Sequence, residues 1–193
     1  RLLFAVEMRT RSLLTRRYVQ AIRDSAVRPV VSLHPSMPSI MRQTEMVHYL
    51  DATDVDGGPW KLRGDIVIRW SLAANGTYQS LRRQWHPFNV LQEPDLVTRE
   101  GIVWLLSLAA KSGVKGYAVA NNKAEGCAPP TIPAIAEIHT GVSDDSGGEE
   151  QPQGRLPVLN LPPRNVQSNS EIFRTSDLPQ PRRQAADGRA GAR

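Results

Sequence analysis

The residue types that most often catalyse reactions or bind metals occur in this chain, but they form no recognisable pattern. The four histidines (His34, His48, His86 and His139) are isolated, and no two stand three or four residues apart as metal ligands on one helix do. The single cysteine, Cys127, has no partner for a disulfide or a CxxC motif, so we interpret it as an inert thiol. We therefore predict no catalytic residue, no metal site and no cofactor.

Two further patterns approach a binding motif without completing one. Asp51, Asp54 and Asp56 differ in spacing from an EF-hand calcium loop and lack its closing glutamate, so a solvated acidic turn is the favoured interpretation. A glycosylation sequon begins at Asn75, but Asn75-Gly76 is also a strong tight-turn signal, and a hairpin turn explains it more simply. Walker-type phosphate loops and serine-hydrolase elbows are missing from the sequence.

The overall composition excludes several classes of protein. The chain has 193 residues, of which 40% are hydrophobic and 22% are charged, enough for one domain with tails. Apolar runs reach only five residues, far below the roughly 20 that a membrane-spanning helix needs. The lone cysteine also excludes a secreted scaffold stabilised by internal disulfides.

Positive charge is concentrated at the start of the chain. The net charge is +5, and residues 1–28 account for all of it, with seven arginines against two acidic residues. Residues 29–193 carry 17 basic and 17 acidic groups and are neutral. A neutral body lacks the broad basic surface that phosphate backbones require, so we do not expect a nucleic-acid partner for it.

The arginine-rich start of the chain has the pattern of a targeting segment. Residues 8–23 contain five arginines and no acid, and Leu14, Tyr18 and Ile22 would share one face of a helix. Such an amphipathic, acid-poor segment is typical of a mitochondrial transit peptide, which predicts that residues 1–28 direct the protein to mitochondria. A basic surface helix is the alternative, and a retained segment would bind a partner instead.

Proline and aromatic residues divide the remainder of the chain. Residues 29–41, with three prolines, are predicted to be an extended linker. Residues 42–126 hold all four tryptophans and are the predicted core domain. Residues 127–193 are a predicted proline-rich tail, since nine of the fifteen prolines lie beyond residue 128. The tail is either disordered or an extended arm across partner subunits, anchored by apolar side chains such as Leu156, Leu159 and Phe173.

Local patterns within the core domain predict a small α+β fold. Strands are expected over residues 45–50, 62–72 and 114–119, and residues 78–85 suit a second strand or a short helix. The clearest element is a helix over residues 98–112. We therefore expect a small, mainly antiparallel sheet with one packed helix, plus long extended N- and C-terminal arms.

The boundaries of the predicted helix rest on specific residue types. Thr98 is a suitable N-cap, and Gly113 is a suitable C-terminal stop. Ile102, Leu105 and Leu106 follow the spacing of a buried helical face. This helix is expected to supply much of the core.

Short segments within residues 44–120 form a recognisable series: Trp60 with the strand from Asp65 to Trp70, Trp85-His86-Pro87-Phe88, Glu93-Pro94-Asp95, Thr98 to Val103, Lys111-Ser112-Gly113 and Tyr117-Ala118-Val119. In these segments the chain resembles a known family, the AQDQ-type small accessory subunit of mitochondrial respiratory complex I. The Gly-Trp of that family is replaced here by Asn89-Val90-Leu91. The resemblance implies a non-catalytic subunit of the matrix-side arm, near subunits that bind flavin and iron–sulfur clusters.

The expected function is accordingly that of a structural subunit without enzymatic activity. Its expected partners are other subunits of a large mitochondrial complex on the matrix side of the inner membrane, peripheral to the membrane, with no small-molecule substrate. One alternative is a mitochondrial ribosomal protein that binds RNA through residues 1–28. Another is an accessory subunit of a different respiratory complex or of the ATP synthase.

Overall fold

Strands and helices alternate along the chain in the structure, a computed structural model that describes residues 3–51 and 61–141. The strands are β1 (Ala5–Glu7), β2 (Arg28–Leu33), β3 (Ile66–Trp70) and β4 (Gly116–Ala120). The α-helices are α1 (Arg16–Asp24), α2 (Ile40–Asp51), α3 (Tyr78–Trp85), α4 (Leu96–Lys111) and α5 (Ala128–Thr140). A short 3₁₀ turn (Arg11–Leu13) precedes α1.

All four strands are parallel and lie in the order β1-β2-β3-β4. One row across the sheet aligns Ser32, Arg69 and Val119 on neighbouring strands. Helix α1 contacts α2, α2 contacts α4, and α4 contacts α5, so these helices form one layer in chain order. The same helices pack against β2, β3 and β4, and the layer covers one face of the sheet.

The predicted fold class, α+β with a mainly antiparallel sheet and one packed helix, is wrong: the fold is α/β with a parallel sheet. Parallel neighbours need a crossover connection, and each of β1, β2 and β3 is followed by a helix that provides one. The Asn75-Gly76 signal does not join two strands. It precedes α3, whose N-cap Thr77 forms a reciprocal capping box with Ser80.

The largest error concerns residues 29–41, predicted as a linker, which contain most of the inner strand β2. Pro29 is tolerated because it precedes the first β2–β3 pair, Val30 with Val67, so its missing N–H breaks no bond to β3. The backbone N–H of Arg28 donates to Phe4 on the other side, 2.9 Å away. Proline content therefore concealed a buried strand.

Alternation along β3 explains where the core lies. Ile66, Ile68 and Trp70 are buried beneath the helices, whereas Val67 and Arg69 point to the opposite face. The rest of the main core comes from β2, α2, α4 and α5 (Val31, Leu33, Val47, Leu62, Ile102, Val103, Leu105, Ala109, Ala124 and Ile135). The predicted helical face of α4 is confirmed, but its N-cap is Asp95, which accepts a 3.0 Å hydrogen bond from the Thr98 N–H.

The other element predictions have mixed outcomes. The predicted strand over 45–50 is wrong, because these residues belong to α2. The helical alternative for 78–85 is confirmed. The helix expected near Tyr18 and Ile22 is α1, and the tail prediction is wrong for residues 128–140, which form α5. The prolines in the first turn of α5 need no intrahelical N–H bond there. The tail beyond residue 141, Asp54, Asp56 and Trp60 lie outside the described residues.

Candidate anion-binding site

A charged cluster lies at the carboxyl end of β1 and β3, on the sheet face opposite the helices. Arg69 of β3 reaches past β2, and its Nη1 donates to both carboxylate oxygens of Glu7 at 3.0 Å. Arg9 donates to Glu7 Oε2, and Ser32 Oγ donates to Glu7 Oε1, each at 3.0 Å. We call Glu7, Arg9, Ser32 and Arg69 the Glu7–Arg69 cluster. Four hydrogen bonds hold its carboxylate in one orientation.

Glu7 orients the two arginines without using all of their donors. A guanidinium group has five N–H donors, and Arg69 uses only Nη1 on Glu7. Within residues 3–51 and 61–141, Nε and Nη2 of Arg69 make no hydrogen bond, and 35% of its side chain is exposed. Arg9 is more exposed, at 62%. The cluster therefore presents positioned, charged donors, with two positive charges against one negative.

The carboxylate of Glu7 is kept ionised by its surroundings. Burial raises the pKa of Glu7. The hydrogen bonds from Arg9, Arg69 and Ser32 together lower this pKa by more than burial raises it, so the net pKa lies below the ordinary glutamate value. An ionised carboxylate that accepts four hydrogen bonds from three donor groups is a poor general acid. The cluster thus suits ion recognition rather than proton transfer.

The lowered pKa of Glu7 predicts how folding stability depends on pH. A depressed carboxylate pKa stabilises the fold above the unfolded-state pKa, and this contribution disappears as the pH falls through the folded-state pKa. We expect the wild-type chain to exceed Glu7→Gln in free energy of unfolding at neutral pH. The difference should shrink on acidification below the ordinary glutamate range. Urea denaturation of both proteins across this range measures it, and a pH-independent difference would contradict the assignment.

The fold brings further positive charge to the same edge. The connection from β1 to α1 leaves the carboxyl end of β1, and it carries Arg9, Arg11 and, at the start of α1, Arg16 and Arg17. No acidic residue lies between Glu7 and Asp24. In parallel sheets, ligands bind outside the carboxyl ends of the strands. The arginines predicted as a targeting signal therefore place a positive potential where ligands bind in such folds.

His34 follows β2 at this same edge. Its Nδ1 accepts a hydrogen bond from the Ser36 backbone N–H at 3.1 Å and lies 2.8 Å from Ser36 Oγ. With Nδ1 as an acceptor, Nε2 is the ring nitrogen that carries a proton. His34 thus offers one N–H donor at the carboxyl edge, with its ring orientation fixed by the loop.

The other residues considered in the sequence are dispersed. His48 lies in α2, His86 follows α3, and His139 in α5 lies 3.2 Å from Ser107 Oγ. Cys127 is buried at the start of α5. The described part of the chain has no group of three His, Cys, Asp or Glu side chains placed to hold a metal ion.

Asp51 is not part of a solvated turn. Its carboxylate is buried and accepts from Arg28 Nη1 at 2.5 Å and from Arg28 Nη2 at 2.8 Å. Arg28 also donates through Nε to the backbone carbonyl of Asp65 at 3.0 Å. The prediction for Asp51 is therefore wrong: this residue ties the end of α2 to the starts of β2 and β3.

Sequence reasoning missed Glu7 and Arg69 entirely. Each is a charged residue at the end of an apolar strand, which was the available signal. Because the sheet was predicted as antiparallel and β1 was assigned to a targeting segment, the two strand ends were not expected at one edge.

Comparisons of the chain with protein-family models, curated proteins and solved structures found no significant match. Among the described helices, none is both long and apolar enough to cross a membrane. The function must therefore be argued from the site itself.

Proposed function

We propose that this protein binds a small anionic ligand, with a phosphate or carboxylate group, at the Glu7–Arg69 cluster. The observation that carries the proposal is the guanidinium of Arg69: Glu7 holds it in place through Nη1, while its Nε–H and Nη2–H groups make no hydrogen bond to any described residue. A planar guanidinium recognises such anions through paired hydrogen bonds. Arg9 supplies a second charge, and the ligand lies at the carboxyl ends of parallel strands.

Replacing Arg69 should abolish most of the binding. Arg69→Met retains the apolar stem of the side chain but removes all donors, and we expect the dissociation constant for inorganic phosphate to rise about 10- to 100-fold. Isothermal titration calorimetry of the full chain measures this. The matched control is Arg82→Met, which changes an exposed arginine on α3 and should bind like the wild type.

Two outcomes would contradict the proposal. One is a wild-type chain that binds neither inorganic phosphate nor acetate. The other is an equal loss of affinity in Arg69→Met and Arg82→Met. This result would mean that phosphate binding depends on the net charge of the protein and not on this site. Arg9→Met should show an intermediate loss, because the Arg9 side chain is more exposed and less firmly held.

The role of a non-catalytic accessory subunit in respiratory complex I, with a mitochondrial location, stays a second proposal. It is supported by the resemblance of residues 44–120 to that family. Co-migration of the native protein with an NADH-oxidising complex would test it.

A further inference from the structure

The sheet face opposite the helices breaks a general rule for parallel sheets. We call this surface the open face; it comprises Val30, Ser32, Val67, Arg69, Tyr117 and Val119. Parallel sheets are found almost only with both faces covered. Val30 and Ser32 are buried, whereas Tyr117 and Val119 at the β4 side are 46% and 53% exposed. A covering element is therefore required over the β4 side of the open face.

The strand order indicates the shape of that cover. Four parallel strands follow one another in chain order, and the helices form a single layer outside them. This is the arrangement of one half of an eight-stranded β/α barrel, whose inner face is filled by side chains. Closing such a sheet into a barrel requires four more parallel strands, in the same order around the barrel and with their helices on the outside.

The two edges of the sheet complement each other. Within the described residues, β1 and β4 each pair on one side only, which leaves rows of backbone donors and acceptors that favour pairing with another strand. A twofold axis along the strands would place β4 of one copy beside β1 of the other, in parallel, at both junctions. Such an interface is self-complementary and leaves no edge unpaired.

We infer that a second copy of this chain covers the open face, so that two four-stranded sheets close into one parallel barrel. The twofold axis brings both Glu7–Arg69 clusters to the same end of this barrel. Tyr117 and Val119 become interior residues. The inference does not depend on the proposed anion ligand, since the unpaired edges of β1 and β4 and the exposed side chains of Tyr117 and Val119 do not involve Arg69.

The mass of the full chain in solution tests the inference. Analytical ultracentrifugation should give about twice the 21.4 kDa of one chain. Val119→Lys introduces a second positive charge beside Arg69 in the interior of the closed barrel, and we expect it to raise the dimer dissociation constant by about 100-fold or more. The matched control is Val97→Lys, which changes a residue that is 80% exposed on α4 and should leave the dimer intact.

Amide hydrogen exchange tests the pairing of the edges. Amides of β1 and β4 should gain protection as the concentration rises and the dimer forms, whereas those on the surface of α5 should not. A wild-type chain that stays monomeric over a wide concentration range would overturn the inference. So would a Val119→Lys protein that is folded and still dimeric, or a dimer without added protection at β1 and β4.

Discussion

Glu125→Ala should lower the free energy of unfolding by about 3–5 kcal/mol, the largest effect that we expect from a single polar substitution in this chain. Glu125 follows β4 in the chain and is fully buried. Its carboxylate accepts hydrogen bonds from Nε and Nη2 of Arg99, at 2.9 and 2.8 Å. The Asp95 N–H and the Thr131 hydroxyl donate to it as well, at 2.6 and 2.8 Å. Removing the carboxylate leaves a buried, unpaired guanidinium beneath α4.

The matched control is Glu137→Ala, an exposed glutamate on α5, for which we expect a change within about 0.5 kcal/mol. The double variant Arg99→Met with Glu125→Ala should recover part of the loss, since it removes the unpaired charge. Urea denaturation of the wild type, Arg99→Met, Glu125→Ala and the double variant gives the coupling free energy between the two residues. An equally small effect of Glu125→Ala and Glu137→Ala would contradict this account.

Glu125 also shows which parts of the fold the sequence could and could not reveal. The helical spacing of Ile102 and Leu105 identified α4, because periodicity is a local signal. The partner of Arg99 is 26 residues away, and nothing local distinguishes a buried glutamate from a solvated one. Pairing of this kind follows from the topology, and the topology was predicted incorrectly.

Strand direction was the decisive missing information. The apolar run of β3 was recognisable, but β1 contributes only three residues and β2 begins beside a proline. With these two strands assigned to a targeting segment and a linker, the strand–helix alternation that requires a parallel sheet was no longer visible. The candidate site was then lost too, because a carboxyl-edge site is defined by several parallel strands together.

The side-chain amide of Gln43 forms hydrogen bonds with the backbone of β2 where this strand extends beyond the end of β1. Strand β1 pairs with β2 only as far as Val30, so the backbone of Ser32 has no strand partner on that side. Gln43, which is buried in α2, replaces the missing strand: its Oε1 accepts from the Ser32 N–H at 2.9 Å, and its Nε2 donates to the Ser32 carbonyl at 2.8 Å. Nε2 also donates to the Pro38 carbonyl at 2.8 Å.

Replacing Gln43 with leucine should therefore cost about 2–5 kcal/mol of unfolding free energy, because it leaves two or three buried backbone groups without partners. Gln84→Leu, on the exposed side of α3, is the matched control and should change stability little. Since Ser32 also donates to Glu7, Gln43→Leu should weaken phosphate binding in the fraction that remains folded, whereas Gln84→Leu should not. If Gln43→Leu proved as stable as Gln84→Leu, this would contradict the proposed role of the Gln43 amide in stabilising the end of β2 next to the Glu7–Arg69 cluster.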